Sequence, residues 1–241
     1  MEKHITVGVD GCRAGWFAVA LDAAGNTEFA IYADIAGLWQ AHSKAAAILI
    51  DIPIGLISGA GPGRMCDVAA RKVLAPRRHS TIFSPPCRQA LSAQSYTEAC
   101  RTNAGVCGRK ISIQAWGISG KIKEVDDFLE ACPEARRILR ETHPEICFWA
   151  LAGGQPMVYN KKSAPGESER LHLLEQVCPG SRDLFKTALA RYPRKALGRD
   201  DILDALANAV TALHLKSAAT LPRHPPNDGR GLPMQIVYAR R

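Results

Sequence analysis

Four aspartates stand where a carboxylate has more to do than keep a surface soluble. Asp10 closes the apolar run "ITVGVD" and Asp51 closes "AAAILID". Both runs suit buried strands, and open α/β sheets place their ligand sites outside the carboxyl ends of strands. Asp201 and Asp204 lie three residues apart in "GRDDILDALANAV", so a helix there projects both from one face. Carboxylates that converge from distant segments offer the hard oxygen ligands that Mg2+ or Mn2+ prefers, and two such ions stabilise the attacking water and the departing oxygen of a phosphodiester. Without a cation their mutual repulsion at a sheet edge raises a pKa or destabilises the fold. The competing explanation is local. Aspartate before Gly or Pro caps a turn, and Asp200 and Asp201 in a first helical turn favour the helix dipole. Asp204, followed by the packing face "ALANA", fits neither account and carries more weight than Asp201.

The elements that must position these groups read as an α/β fold. Residues 4–10 and 16–22 are β-rich runs around the turn "GCRAG", and "TEFAIYA" follows "AAGN" as a third strand, an antiparallel meander. "IAGLWQAHSK" reads as a short amphipathic helix, and "AAAILIDIPIGL" as a strand buried on both faces. From about 55 to 116 glycine and proline cluster in "SGAGPG" and "SPPC" between the helical stretches "RMCDVAARKVL" and "SYTEACRTN", which predicts a helical insertion or cap that shapes the approach to the site. "SGKIKEVDDFLEACP" predicts a helix, "RRILRETHPEICF" a strand ending in "HPE", and "SERLHLLEQV" another helix. "GRDDILDALANAVTALHLKSAA" predicts a long helix with a small-residue face for close packing on a sheet. The tail "PMQIVYARR" reads as an edge strand, and 1–241 as a single domain.

Composition narrows the class. At 241 residues, with 46% hydrophobic residues and 22% charged, the chain can bury one substantial core. No apolar run approaches the roughly 20 residues that span a bilayer, and "MEKHITVGVD" lacks the order of a signal peptide, so no membrane partner and a cytoplasmic location are expected. Eight scattered cysteines without a CxxC predict reduced thiols, and "CRTNAGVC" has a spacing unlike zinc knuckles. Cys12, beside Asp10, reads as a small turn residue more readily than as a nucleophile. The net charge of +8 favours a polyanionic partner.

The motifs "GVDGCRAGW", "DIPIGL", "RMCDVAAR", "SPPCR", "KIKEVD", "HPEICFWAL", "NKKSAPGESER" and "DDILDALANAVTA" together resemble the DUF429 family of predicted nucleases with an RNase H-like fold, over nearly the whole chain. The resemblance implies a mixed sheet, three antiparallel strands followed by parallel ones, flanked by helices. It carries the nuclease carboxylates onto Asp10, Asp51 and Asp204, with Asp201 as a fourth metal ligand. It implies roles for Glu145 in completing the metal shell and for His143 in orienting water or phosphate. Arg13, Arg64, Arg71, Lys121 and Lys161 then become phosphate clamps. One departure stands out: Asp51 occupies a position where many RNase H-like enzymes carry glutamate, a longer arm.

The expected function is therefore metal-dependent, two-metal-type phosphodiester hydrolysis of nucleic acid or a smaller phosphodiester, with Mg2+ or Mn2+. Two alternatives stand beside it. "GVDGCRAGW" also resembles the first phosphate loop of actin-like ATP phosphotransferases, whose second glycine-rich motif has no clear counterpart here. A non-catalytic protein that binds metal or nucleic acid would use the same residues.

Overall fold

In the computed structural model, which describes residues 5–61 and 63–240, the first hairpin forms as its alternation demands. Strands β1 (Ile5–Cys12) and β2 (Gly15–Asp22) pair antiparallel, and β3 (Thr27–Tyr32) pairs with β2. Gly15 makes the turn possible, because its φ is +131° and a Cβ there would lie 2.1 Å from the Tyr32 carbonyl oxygen. Helix α1 (Ile35–His42), capped by Asp34, returns the chain to β4 (Ala47–Ile50). β4 runs parallel to β1, and β5 (Leu139–Glu141) runs parallel to β4. The five-stranded mixed sheet has the order β3-β2-β1-β4-β5, the antiparallel meander plus parallel strands expected above and consistent with an RNase H-like fold.

Between β4 and β5 lie α2 (Met65–Leu74), α3 (Tyr96–Cys107), α4 (Ile113–Gly117) and α5 (Ser119–Ala131), so the 55–116 segment is helical and rich in turns. After β5 come α6 (Pro144–Leu151), α7 (Ala164–Val177), α8 (Ser181–Arg191) and α9 (Arg199–Leu213). β6 (Ala218–Leu221) and β7 (Ile236–Ala239) then close a separate two-stranded antiparallel sheet.

β2 shows how the layers separate. Phe17, Val19 and Leu21 join the core that includes α6 and α9, whereas Trp16, Ala18 and Ala20 join the core built with α1 and α5. That is the period of two of a strand buried on both faces. In β1, Val7 and Val9 face the α1 and α5 layer, so Gly8 and Asp10 face α9. A Cβ on Gly8 would lie 2.0 Å from Ala209 N and 2.2 Å from Ala205 O. The backbones of β1 and α9 therefore touch, which is what the small-residue face of α9 allows. Gly8→Ala is expected to destabilise the protein by about 3 kcal/mol through overpacking, read as a lowered urea midpoint; an unchanged midpoint would show that α9 yields easily.

Several expected boundaries move. The "HPE" segment does not end a strand: β5 covers only Leu139–Glu141, and Pro144 starts α6 with His143 as its N-cap. The last long helix stops at Leu213, and Ala218 and Ala219 enter β6. The tail strand pairs with β6 and leaves the edge of the main sheet alone. α8 has no counterpart in the sequence reading, although Leu184, Phe185 and Ala188 mark its buried stripe. His4, the expected first strand residue, and Arg241 at the end of the tail lie outside the described residues.

Candidate active site

Register alone brings the first two carboxylates together. Val9 is opposite Ile50 in the parallel β1–β4 pair, so Asp10 and Asp51 are the next residues on adjacent strands. The Asp51 amide donates to Val9 O at 3.0 Å. The same oxygen accepts the side-chain amide of Asn208 at 3.0 Å. Asn208 is fully buried and lies one helical turn beyond Asp204, so its bond fastens α9 to the carboxyl end of β1 with Asp204 above the two strand aspartates. Asn208 was missed in the sequence, where its only signal is a polar residue four positions past Asp204 in a run of alanines and leucines.

The aspartates act on one another electrostatically, although among the described residues they are not a group with three ligand atoms within 4.8 Å of one another. Burial, then Asp51, Asp204 and Asp201 in that order, holds the Asp10 carboxyl well above the ordinary aspartate range. Burial and then Asp204 push Asp51 up to about 7. Burial raises Asp201 as well, but its Oδ2 accepts the Gly198 amide at 2.8 Å, so one oxygen serves as a helix cap. Asp10 Oδ1 accepts the Gly11 amide at 2.8 Å. Among the described residues, Asp10 Oδ2 and both oxygens of Asp51 have no hydrogen-bond partner, and both residues line a cavity of about 230 Å3. Hard oxygen donors left open beside one another fit a divalent cation.

The cluster already holds one positive charge. Lys161, on the loop before α7, places Nζ 2.5 Å from Asp204 Oδ2 and 3.7 Å from Asp200 Oδ2. Asp204 and Asp10 raise its pKa against the lowering effect of burial, so the ammonium persists. The expected phosphate clamp is thus a counter-ion within the aspartate group. Its loop is held by Arg170, which is almost fully buried, donates to Tyr159 O and Gly166 O, and pairs with Glu145 Oε1 at 2.5 Å.

That pairing corrects the expected role of Glu145. It is buried with Oε1 on Arg170, where it holds the Lys161 loop, and its Oε2 has no hydrogen-bond partner among the described residues. His143 is also committed elsewhere. Its Nδ1 accepts the Glu145 amide at 3.2 Å and burial lowers its pKa, so it is a neutral N-cap at the wall of the cavity.

Of the other expected clamps, Arg64 is buried and paired with Asp67 at 2.9 Å and with Glu141. Arg71 donates to Ile82 O and Ser84 Oγ, where it braces the insertion. Lys121 lines the cavity, donates to Gly15 O at 2.6 Å and lies 4.2 Å over the Trp16 ring. Arg13 is exposed on the β1–β2 turn. Lys161 acts on Asp10, Lys121 lines its cavity, and Arg64 lines the same cavity with its charge held by Asp67 and Glu141. Cys12 is buried, and burial raises its thiol pKa, which removes it as a nucleophile. None of the eight cysteines is in a disulfide.

Among the described residues, the group with three ligand atoms within 4.8 Å of one another is Cys66, Asp67 and Glu141, which could hold a metal ion. Two facts weigh on it: burial pushes the Cys66 thiol pKa up, and the Arg64 guanidinium is already paired with both carboxylates. Among the described residues no helix is long and apolar enough to cross a membrane.

A family model described as "Protein of unknown function (DUF429)" matches residues 8–227. No curated protein and no solved structure matches the chain.

Proposed function

The chain belongs to the DUF429 family, and from that premise we propose that it is a metal-dependent phosphodiester hydrolase acting on nucleic acid. The observation that carries this reading is the pair Asp10 and Asp51 at the carboxyl ends of adjacent parallel strands, with unpartnered carboxylate oxygens at a cavity and Asp204 near enough to raise the pKa of both. The net charge of +8 supports a polyanionic substrate.

Asp10 and Asp51 would hold Mg2+ or Mn2+. When bound, the ion supplies positive charge that activates water and stabilises the departing oxygen. Two-metal hydrolysis requires two positive centres flanking the phosphorus, and in this protein the Lys161 ammonium, seated on Asp204, takes the place of one of them. Asp204 orients that ammonium, Asn208 keeps the helix that carries Asp204 in contact with β1, and the Glu145–Arg170 pair fixes the loop that carries Lys161. Lys121 presents a second ammonium at the cavity wall, within reach of a flanking phosphate.

The test is incubation of the full chain with single-stranded and duplex DNA and RNA, in Mn2+, in Mg2+ and in EDTA. Ion-dependent fragmentation is expected. Fragmentation no greater than in EDTA for every substrate, with ATP hydrolysed or bound tightly instead, would replace this reading with a phosphotransferase.

A further inference from the structure

Arg78, in the basic stretch "APRRH" of the insertion, takes no part in holding the aspartates or their ion. Its carbonyl oxygen accepts the Thr81 amide at 3.0 Å and the Thr81 hydroxyl at 2.7 Å, and Thr81 lines the cavity at Asp10 and Asp51. Its side chain crosses to the loop that carries Lys161, where Nε donates to Met157 O at 3.0 Å and Nη2 to Val158 O at 2.7 Å. That loop is itself fixed from the side of α7: Glu169 accepts the amides of Val158 and Tyr159, and Arg170 donates to Tyr159 O. The guanidinium is therefore held in one orientation between the insertion and the Lys161 loop. What it lacks is an anion. Arg64, Arg88, Arg170, Arg199 and Arg230 each pair with a carboxylate. Among the described residues Arg78 pairs with none, and its remaining donors, both on Nη1 and one on Nη2, have no partner. The bond from Nη2 to Val158 lies at the exposed surface, so those donors are open to a ligand.

We propose that Arg78 is a substrate-binding residue: its guanidinium receives a backbone phosphate of the nucleic-acid strand, beside the phosphodiester that lies at Asp10 and Asp51. This rests on the reading of the aspartates as a centre that hydrolyses nucleic acid. Three features favour it. The first is the charge. Holding two carbonyl oxygens needs only neutral N–H donors, so the latch between insertion and loop leaves a full positive charge unmatched, which an anion would neutralise. The second is the free edge. With Nε and Nη2 turned to the carbonyls, the Nη1–Nη2 edge offers parallel donors, the fork that suits two oxygens of one phosphate. The third is the place. Thr81, three residues after Arg78, is cavity wall, and Lys161, three residues after Val158, sits on Asp204, so Arg78 stands at the rim where a strand leaving the cavity passes between insertion and loop. A phosphate contact carries no base information, so Arg78 sets the register of the strand and leaves its sequence unread. The insertion thereby acquires a function in holding substrate.

Binding measured without turnover tests the contact apart from the hydrolysis. Fluorescence anisotropy of labelled oligothymidylate and oligouridylate is followed on the full chain, in EDTA, over about 50 to 200 mM KCl. Arg78→Gln should bind about fivefold more weakly at about 100 mM salt, and its plot of log affinity against log salt should be shallower by about 0.7, the share of one single-strand phosphate. Arg78→Lys, which keeps the charge, should keep the wild-type slope. A latch without a phosphate contact moves thermal stability in both variants and leaves the slope alone. A slope unaltered in Arg78→Gln, or lowered equally in Arg78→Gln and Arg78→Lys, overturns the contact while the hydrolase stands. No binding of either strand at the lowest salt overturns the contact together with the nucleic-acid reading. A shallower slope in Arg78→Gln restored in Arg78→Lys, with no ion-dependent cleavage of any strand, supports the contact and sinks the hydrolase.

Discussion

Changing Asp10 to asparagine is expected to lower ion-dependent cleavage about a thousandfold or more while making the metal-free protein more stable at pH 8. The two effects have one cause. Asn keeps the oxygen that accepts the Gly11 amide but carries no charge to hold an ion or to repel Asp51 and Asp204. The sign follows from the direction of the shifts. Burial and like charge raise the carboxyl pKa values of Asp10 and Asp51 in the folded state, so these groups favour folding when protonated. Their contribution is complete below the unfolded value near 3.8 and is lost as pH rises toward about 7, the folded value of Asp51. At pH 8 the unneutralised Asp10 charge therefore costs stability, which the asparagine relieves as a higher melting temperature of the metal-free protein. Mn2+ therefore stabilises the wild type more at pH 8 than at pH 5, since binding needs the charged carboxylates. Thermal unfolding at both pH values, with and without Mn2+, measures all of this. A wild type whose melting temperature ignores Mn2+ at pH 8, or a metal-free Asp10→Asn protein that melts below it there, contradicts the carboxylate cluster as a cation site.

Lys161→Met carries the second large effect. The ammonium is about one-third exposed, but its partner Asp204 is buried, so removing it leaves a buried carboxylate beside three others. Metal-free stability at pH 8 should fall by about 2–3 kcal/mol, below the full cost of breaking a buried pair because solvent screens the lysine end. The vacated position should then accept a second ion. Calorimetric titration with Mn2+ is expected to give one ion per wild-type chain and two per Lys161→Met chain, with part of the lost stability restored at saturating Mn2+. Two ions in both proteins with the same affinities would show that the lysine swings aside and is no substitute for a cation.

Much of this site was readable before any fold was known, and the reason is periodicity. Strands that run apolar into Asp10 and Asp51 must deliver those side chains to a sheet edge. The spacing of Asp201, Asp204 and the alanines that follow sets which side of the last helix meets the sheet. The meander, the buried β4 and the insertion follow from local patterns of the same kind, as does a last helix able to pack close to a sheet, whereas the contact at Gly8 is visible only in the fold. The chemistry of the remaining charged residues was not readable in this way, because a charge is defined by its partner and the partners are far away in the chain. Arg64 meets Glu141, Glu145 meets Arg170, and Lys161 meets Asp204, separations that composition and spacing do not encode. "HPE" illustrates the point: a proline after histidine suits the end of a strand or the start of a helix equally well, and in the fold His143 caps α6 with Pro144 in its first turn. Sequence patterning determined where acidic groups would gather. Three-dimensional packing decided which cations answer them, since burial turns an unmatched charge into a cost that only a neighbour in space can remove.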